Sequence, residues 1–230
     1  MTLVIFDCDG VLVDSEVILN RIDAKTMTDY GYPITTEECI KRFTGMNYKT
    51  VIDTIFEETG LKMPYDIFKA THTQIEDVYK KELKPLVFSA LDCLKQMGIR
   101  RSVASSSPRD RVIKCLEISD QLQYFEDPAI FTSQQVTKGK PAPDLFLFAA
   151  KMMGFDPKNC IVVEDSPAGI EAAKAAHMKP IGFLGGAHTV PDWYQNRIKT
   201  YNVPIAKTSE ELISLLKKEL SQMMFVSPIM

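Results

Sequence analysis

The sequence predicts an α/β fold: a doubly wound parallel sheet with an all-helical segment inserted after its first strand. Three observations support this prediction. An apolar run, "LVIF", opens the chain; residues 15–84 show only helical patterns; and from residue 86 onward strand-like and helix-like segments alternate. Such alternation is typical of parallel βαβ units, in which each helix connects two neighbouring strands.

Residues 15–84 are predicted to form a helical cap domain. The segment "ITTEECIKRF" contains a capping box, Thr35 and Glu38, before an amphipathic run. The segment "YKTVIDTIFEETG" has an apolar face and closes on Gly60, a residue favoured at helix C-termini. A further helix is predicted over "PYDIFKATHTQIEDVYKKEL", with Pro64 at its first position.

Residues 1–14 and 85–222 are predicted to form one Rossmann-like core. Strands are predicted at residues 2–7 and in "SVASSS", "AIFTS", "CIVVEDS", "KPIGFL" and "VPIA". Helices are predicted up to Gly98, from a cap at Ser107, over residues 142–154, and in "SPAGIEAAKAAH" and "TSEELISLLKKEL". Trp193 and Tyr194 are assigned to a late loop where they pack, and residues 223–230 to a tail of unknown role.

Composition excludes several classes of protein. A net charge of -3 and a pI near 5.7 argue against nucleic acid as a partner. No uncharged stretch is long enough to span a membrane, and no secretory signal pattern opens the chain. The five cysteines are scattered and odd in number, which argues against a disulfide framework or zinc site. A reduced, cytoplasmic, monomeric protein is expected.

Polar and charged residues follow three of the predicted strands. In open α/β sheets, ligands bind beyond the carboxyl ends of the strands, so these side chains should meet in one crevice. A loop before a predicted helix adds two lysines, Lys138 and Lys140. The residues at the strand ends are Asp7 and Asp9, Ser105 and Ser106, and Glu164 and Asp165.

Clustered carboxylates repel one another unless a positive group lies between them. Mg²⁺ is the natural candidate because it prefers oxygen ligands and leaves room for phosphate. Asp7 could act as a nucleophile, and the serine hydroxyls with a lysine could hold phosphoryl oxygens. Each feature alone is common in turns and caps; their joint placement at successive strand ends favours phosphoryl-transfer chemistry.

Four segments, "FDCDGVLVDSE", "VASSS", "KGKPAPDLF" and "VVEDSPAGIEAAK", resemble in order the motifs of the haloacid dehalogenase-like hydrolase superfamily. They are most similar to its phosphosugar phosphatase and β-phosphoglucomutase-like branch. The resemblance implies that Asp7 is the nucleophile and a metal ligand, and Asp9 the general acid/base, with its carbonyl on the metal. It also implies that Ser105 and the Ser106 amide bind phosphate, that Lys140 is a catalytic residue that offsets charge on the nucleophile and the phosphoryl group, and that Asp165 and Glu164 bind Mg²⁺.

Several activities remain open within this resemblance. Dehalogenases of the superfamily lack the second acid, so Asp9 argues against dehalogenation. β-Phosphoglucomutases carry a hinge His and a cap Arg, whereas this chain has Ile18, Leu19 and Asn20 at the hinge and no Arg after Gly45. A non-catalytic phospho-acceptor and a silent scaffold are the remaining alternatives.

The predicted function is a Mg²⁺-dependent phosphatase acting on a small sugar or sugar-acid phosphate through an aspartyl-phosphate. Substrate contacts in the cap are predicted for Arg42, Asn47, Tyr48 and Lys49. Cys8 is expected to pack in the core, and His177 to end its helix in a left-handed conformation.

Overall fold

The apolar run at the start of the chain forms the strand at the middle of the sheet. The computed structural model describes residues 1–44, 46, 48–68, 75–126 and 129–225, and here the run is β1 (Leu3–Phe6), whose side chains are fully buried. Burial on both faces is typical of parallel sheets covered by helices. The other strands are β2 (Arg100–Ser105), β3 (Ile130–Thr132), β4 (Cys160–Glu164), β5 (Lys179–Phe183) and β6 (Ile205–Ala206).

The six strands form one parallel sheet in the order β3-β2-β1-β4-β5-β6. The order reverses at β1, which pairs with β2 on one side and β4 on the other, so that Phe6 is level with Val103 and Val163. Doubly wound sheets bind ligands at such a reversal, beyond the carboxyl ends of the strands. The predicted fold class is confirmed.

Two compact units divide the chain: residues 1–14 with 84–230, and residues 15–83. The second unit contains α1 (Glu16–Asp29), α2 (Thr36–Phe43), α3 (Tyr48–Thr59) and α4 (Ile75–Glu82). Its own core includes Met27, Phe43, Ile55 and Phe68. The predicted capping box at α2 is confirmed, since Thr35 and Glu38 exchange hydrogen bonds between side chain and backbone.

Helices of the first unit cover the sheet. They are α5 (Phe88–Gln96), α6 (Arg109–Ile118), α7 (Asp144–Met153), α8 (Pro167–Ala175), α9 (Asp192–Lys199) and α10 (Ser209–Phe225). Side chains of α7 and α8 share one apolar cluster with Leu3 and Ile5. Because strand side chains alternate, Phe6 points to the opposite face from Ile5, and there it meets the edge of Phe125.

Three local predictions were wrong. The helix predicted from Pro64 begins later: residues 65 and 66 form a turn, in which Ile67 N donates to Pro64 O 3.1 Å away, and residues 67–68 are helical; residues 69–74 lie outside the described part. Trp193 and Tyr194 belong to α9, which starts after Pro191, although both pack as expected. Ser107 does not cap α6, because its hydroxyl donates a hydrogen bond to Asp9 instead.

Other predictions agree with the structure. Cys8 is fully buried, and all five cysteines are free thiols. His177 follows α8 with a φ of 58°, in the left-handed region. The segment set aside as a tail begins within α10, and residues 226–230 lie outside the described part. Within the described chain, every helix is too short or too polar to cross a membrane.

Candidate active site

The strand order brings the acidic residues of β1 and β4 together. Asp7 follows β1 and donates its backbone N–H to Val163 O of β4 at 3.0 Å, while Glu164 and Asp165 lie at the end of β4. Oxygens of Asp7, Glu164 and Asp165 all lie within 4.8 Å of one another, and all three residues are buried. Three buried carboxylates so close together require positive charge nearby.

Lys140 supplies part of that charge. Its Nζ lies 2.7 Å from Asp7 Oδ1 and 2.6 Å from Glu164 Oε1, and only 5% of the side chain is exposed. Burial alone would lower the pKa of Lys140, but the carboxylates of Asp7 and Glu164 raise it above its usual value. Lys140 is therefore a buried, protonated cation that bridges the ends of β1 and β4.

Glu164 is held on both of its carboxylate oxygens. Oε1 accepts from Lys140, and Oε2 accepts from the backbone N–H and the hydroxyl of Ser166 at 2.8 and 2.9 Å. Gly169 of α8 leaves the space that this carboxylate fills, because a Cβ there would lie 1.8 Å from Oε1. Glu164, predicted as a metal ligand, is thus placed so that it orients Lys140.

Burial disfavours the charged forms of Asp7 and Asp165. Burial raises the pKa of Asp7 well above its usual value; Lys140 opposes this rise, and the neighbouring carboxylates add to it. Burial likewise raises the pKa of Asp165 well above its usual value, with the charge of Glu164 as the next cause. A buried group of carboxylate oxygens suits a divalent metal ion. Hard cations such as Mg²⁺ prefer oxygen ligands of this kind.

Asp9 is directed to different partners from those of Asp7. Its Oδ2 accepts from the Ser107 hydroxyl at 2.6 Å, and its Oδ1 accepts from Arg111 Nη2 at 2.8 Å. Sequence reasoning missed both contacts. Ser107 lies in the turn before α6 and Arg111 in its first turn, so only their shared proximity to the serine motif could have drawn attention to Arg111.

The predicted phosphate-binding serines lie at the end of β2, next to β1. Ser105 is buried and its hydroxyl accepts from Ser107 N at 3.0 Å, which shapes the turn that leads into α6. Ser106 is exposed, and its carbonyl accepts from the Ser133 hydroxyl at 2.8 Å. The structure thus places all the predicted core-site residues at one edge of the sheet.

A further residue at this edge had no signal in the sequence. His188, in a single turn of helix after β5, is buried, and its Nε2 lies 2.6 Å from Asp165 Oδ2. It is far from Asp165 along the chain and belongs to none of the four motifs, so only the fold brings the two together.

Two of the predicted substrate residues of the cap make contacts within the cap itself. Arg42 donates two hydrogen bonds to the Glu58 carboxylate, at 2.6 and 2.7 Å, and another to the Tyr32 hydroxyl. Lys49 pairs with Asp53 at 2.6 Å, and 70% of its side chain is exposed.

Tyr48 lines a small cavity inside the cap, about 50 Å³ in volume, where its hydroxyl lies 3.1 Å from Asp23 Oδ2. Asn20 also lines this cavity and donates to the carboxylate of Glu16 at 3.1 Å. The remaining cap prediction, Asn47, lies outside the described residues.

Comparison with known proteins decides the family. The family model of haloacid dehalogenase-like hydrolases matches residues 4–183, a span that includes all four motifs. The chain belongs to this family. The resemblance predicted from the motifs is therefore confirmed, and so is the expectation of a hydrolase.

Individual relatives agree with this assignment. The chain is 33% identical to the 6-phosphogluconate phosphatase of Escherichia coli (strain K12) over 195 residues, which cover 82% of this chain and 85% of the relative. It is 31% identical to the phosphorylated carbohydrates phosphatase of Thermotoga maritima over 223 residues, 96% of this chain and 100% of the relative. A haloacid dehalogenase-like protein of unknown function from Agrobacterium tumefaciens superposes with a TM-score of 0.82 and 30% identity, over 96% of this chain and 99% of that one.

Proposed function

We propose that this protein is a Mg²⁺-dependent phosphatase that hydrolyses a small sugar or sugar-acid phosphate through an aspartyl-phosphate. The proposal rests on one observation: the two acids of the first motif are held by different hydrogen-bond donors. Lys140 holds Asp7 at Oδ1, whereas Ser107 and Arg111 hold Asp9. Two carboxylates two residues apart with different partners suit a nucleophile and a proton carrier.

In the first proposed step, a carboxylate oxygen of Asp7 forms a bond to phosphorus as the bond from phosphorus to the ester oxygen breaks. Asp9, protonated at this stage, gives its proton to the departing oxygen. In the second step, water attacks phosphorus, Asp9 takes its proton, and the bond to Asp7 breaks to release inorganic phosphate. One acid thus serves in both directions, as balance of protons requires.

Lys140 neutralises charge on Asp7 and on the phosphoryl oxygens throughout both steps. Ser105 and the Ser106 amide are proposed to hold two of the phosphoryl oxygens. Asp7, the Asp9 carbonyl and Asp165 are proposed to hold Mg²⁺. Glu164 is proposed to assist them through its hydrogen bond with Lys140. When bound, Mg²⁺ supplies further positive charge for the phosphoryl group.

The substrate class is proposed from two relatives, whose names specify 6-phosphogluconate and phosphorylated carbohydrates. Both are small phosphorylated molecules rich in hydroxyl groups. Contacts to the substrate from Arg42, Asn47, Tyr48 and Lys49 stay predictions, as do a monomeric state and a cytoplasmic location.

The proposal is tested by measuring phosphate release over a panel of sugar and sugar-acid phosphates with Mg²⁺. Turnover of at least one compound is expected, with loss of activity in excess EDTA. Asp7→Asn should abolish turnover and leave the melting temperature near that of the wild type. The control Asp92→Asn, in α5, should keep full activity. A fully active Asp7→Asn protein would falsify the nucleophile assignment.

The same panel separates the alternative activities. A β-phosphoglucomutase-like enzyme would convert β-glucose 1-phosphate to glucose 6-phosphate without releasing free phosphate. A phospho-acceptor would be labelled on Asp7 but would not turn over. Activity that persists in EDTA would instead indicate a metal-independent reaction.

A further inference from the structure

We infer that His188 is a positioning residue for the metal site: it holds Asp165 so that one carboxylate oxygen is left for Mg²⁺. The inference rests on the proposed Mg²⁺ site and assigns a role to a residue outside the four motifs. His188 Nε2 lies 2.6 Å from Asp165 Oδ2, and both side chains are buried. A carboxylate that binds a cation is ionised and can only accept hydrogen bonds, so the inference assigns the proton of the His188 ring to Nε2.

The surroundings of His188 keep its ring in this place. The ring packs against the edge of Tyr194, with centroids 5.2 Å apart and planes at 85°. The Tyr194 hydroxyl in turn lies 3.4 Å from the carbonyl oxygen of Asp165. One tyrosine of α9 therefore contacts both members of the pair.

Two glycines leave room for the pair. A Cβ on Gly10 would lie 2.3 Å from Asp165 Oδ2 and 2.7 Å from His188 Cε1, and a Cβ on Gly186 would lie 2.8 Å from the same ring carbon. Gly10 follows Asp9 in the first motif and has a φ of 80°. The backbone of the first motif therefore lies directly against the hydrogen bond between His188 and Asp165.

This geometry divides the two oxygens of Asp165 between two tasks. His188 contacts Oδ2, one oxygen of Asp165 lies within 4.8 Å of oxygens of Asp7 and Glu164, and we assign Oδ1 to Mg²⁺. Hydrogen bonds that orient a ligating carboxylate commonly change metal affinity by about 10- to 100-fold when they are removed. Glu164 has a comparable support in Ser166, so each acid at the end of β4 has its own hydrogen-bond donor.

The test compares His188→Leu, which has no donor, with His188→Gln, whose amide N–H can reach the same carboxylate. Mg²⁺ affinity is measured by calorimetry on the protein without substrate. We expect His188→Leu to weaken Mg²⁺ binding by about 10- to 100-fold and His188→Gln to recover most of the loss. His177→Asn is the matched control, since this exposed histidine ends α8, and its Mg²⁺ affinity should equal that of the wild type.

The dependence of the rate on Mg²⁺ concentration gives a second measurement. It would not change if His188 only stabilised the fold. The Mg²⁺ concentration for half-maximal rate should rise in His188→Leu, while KM for the phosphate ester at saturating Mg²⁺ stays close to that of the wild type. Equal Mg²⁺ affinity in His188→Leu and wild type would overturn the inference, and so would equal losses in His188→Leu and His188→Gln.

A measurement on the wild type does not depend on the folding of any variant. The chain has three histidines, so ¹⁵N-histidine labelling gives few ring signals. Mg²⁺ should shift the Nε2–H signal of His188 and leave that of His177 in place; an unchanged His188 signal would count against the inference. A wild type that releases phosphate but binds no Mg²⁺ would overturn the metal part of the proposed function together with this inference.

Discussion

Arg111 donates a hydrogen bond from Nη2 to Oδ1 of Asp9 over 2.8 Å, and the pair is largely buried, with side-chain exposures of 20% and 9%. The arginine comes from α6 and the acid from the end of β1, so the fold alone creates this contact. It fixes the carboxylate that we propose as the proton carrier. A general acid must lie within hydrogen-bond reach of the departing oxygen, and its placement therefore matters for rate.

Replacing Arg111 by Met should lower kcat by about tenfold, equivalent to about 1.4 kcal/mol of activation free energy. Asp9 would keep its hydrogen bond from the Ser107 hydroxyl but lose the one from Arg111, and its carboxylate would sample other orientations. Arg111→Lys should lose less, because one charged donor remains. Steady-state kinetics on the preferred phosphate ester provide the measurement.

A double-mutant cycle with Asp9→Asn shows whether Arg111 acts through Asp9. If it does, Arg111→Met should add little to the loss already caused by Asp9→Asn. Losses that simply multiply in the double variant would mean that Arg111 acts independently, for example on the substrate itself.

Gly169→Ala should destabilise the protein, although alanine is the better helix former. Helix propensity alone predicts a gain of about 0.5–1 kcal/mol in an exposed helix interior. The added Cβ, however, would lie 1.8 Å from Glu164 Oε1, an atom that is bound to Lys140. We expect the free energy of unfolding to fall by about 1–3 kcal/mol, as for other overpacked sites.

Activity should fall with Gly169→Ala as well, because Glu164 can no longer orient Lys140 toward Asp7. Gly139→Ala is the control for stability, since its added carbon would meet Ser133 Cβ only at 4.0 Å. Denaturant unfolding of both variants shows whether the free energy of unfolding falls or rises. A more stable Gly169→Ala protein would show that Glu164 has more freedom than its hydrogen bonds indicate.

The Arg42–Glu58 pair should make the stability of the cap depend on pH. The hydrogen bond from Arg42 lowers the pKa of Glu58 below its usual value. A group with a lowered pKa stabilises the folded state at pH values above its unfolded pKa, near 4.5. This stabilisation is lost as the pH falls through the lower value in the folded protein.

The melting temperature of Glu58→Gln should therefore lie below that of the wild type at pH 7, and the difference should shrink below the usual glutamate pKa and vanish only below the lowered pKa of Glu58 in the folded protein. Added salt should also reduce the difference, because the pair is exposed. The neighbouring exposed Glu57 has no ion pair among the described residues and provides the control Glu57→Gln. A difference that persists unchanged into acid would contradict the assignment.

His177→Gly should raise the free energy of unfolding by up to about 1 kcal/mol. His177 adopts a φ of 58°, a conformation that costs an ordinary residue energy and that glycine adopts readily. The backbone bond from His177 N to Lys174 O, 3.0 Å long, does not involve the side chain and should remain. Thermal and denaturant unfolding measure the change; a less stable variant would show that the imidazole makes a useful contact.

Much of the fold could be predicted from local patterns. The apolar run before Asp7 and the alternation after residue 86 correspond to the observed parallel sheet, and the capping box at Thr35 begins α2 as predicted. These features depend on neighbours along the chain. Errors occurred where a start signal had two interpretations: Pro64 precedes a turn, and Pro191 precedes a helix that the sequence did not suggest.

The sequence by itself determined the family, the sheet and the strand-end residues, because the four motifs and the strand patterns are each local in the chain. Only the tertiary structure decided the partners of those residues. Asp9 with Arg111, Glu164 with Lys140, and Asp165 with His188 are all far apart in sequence and lie within 2.6–2.8 Å in space. Hydrogen bonds require this closeness, and packing of α6, the Lys140 loop and the turn after β5 against one sheet edge creates it.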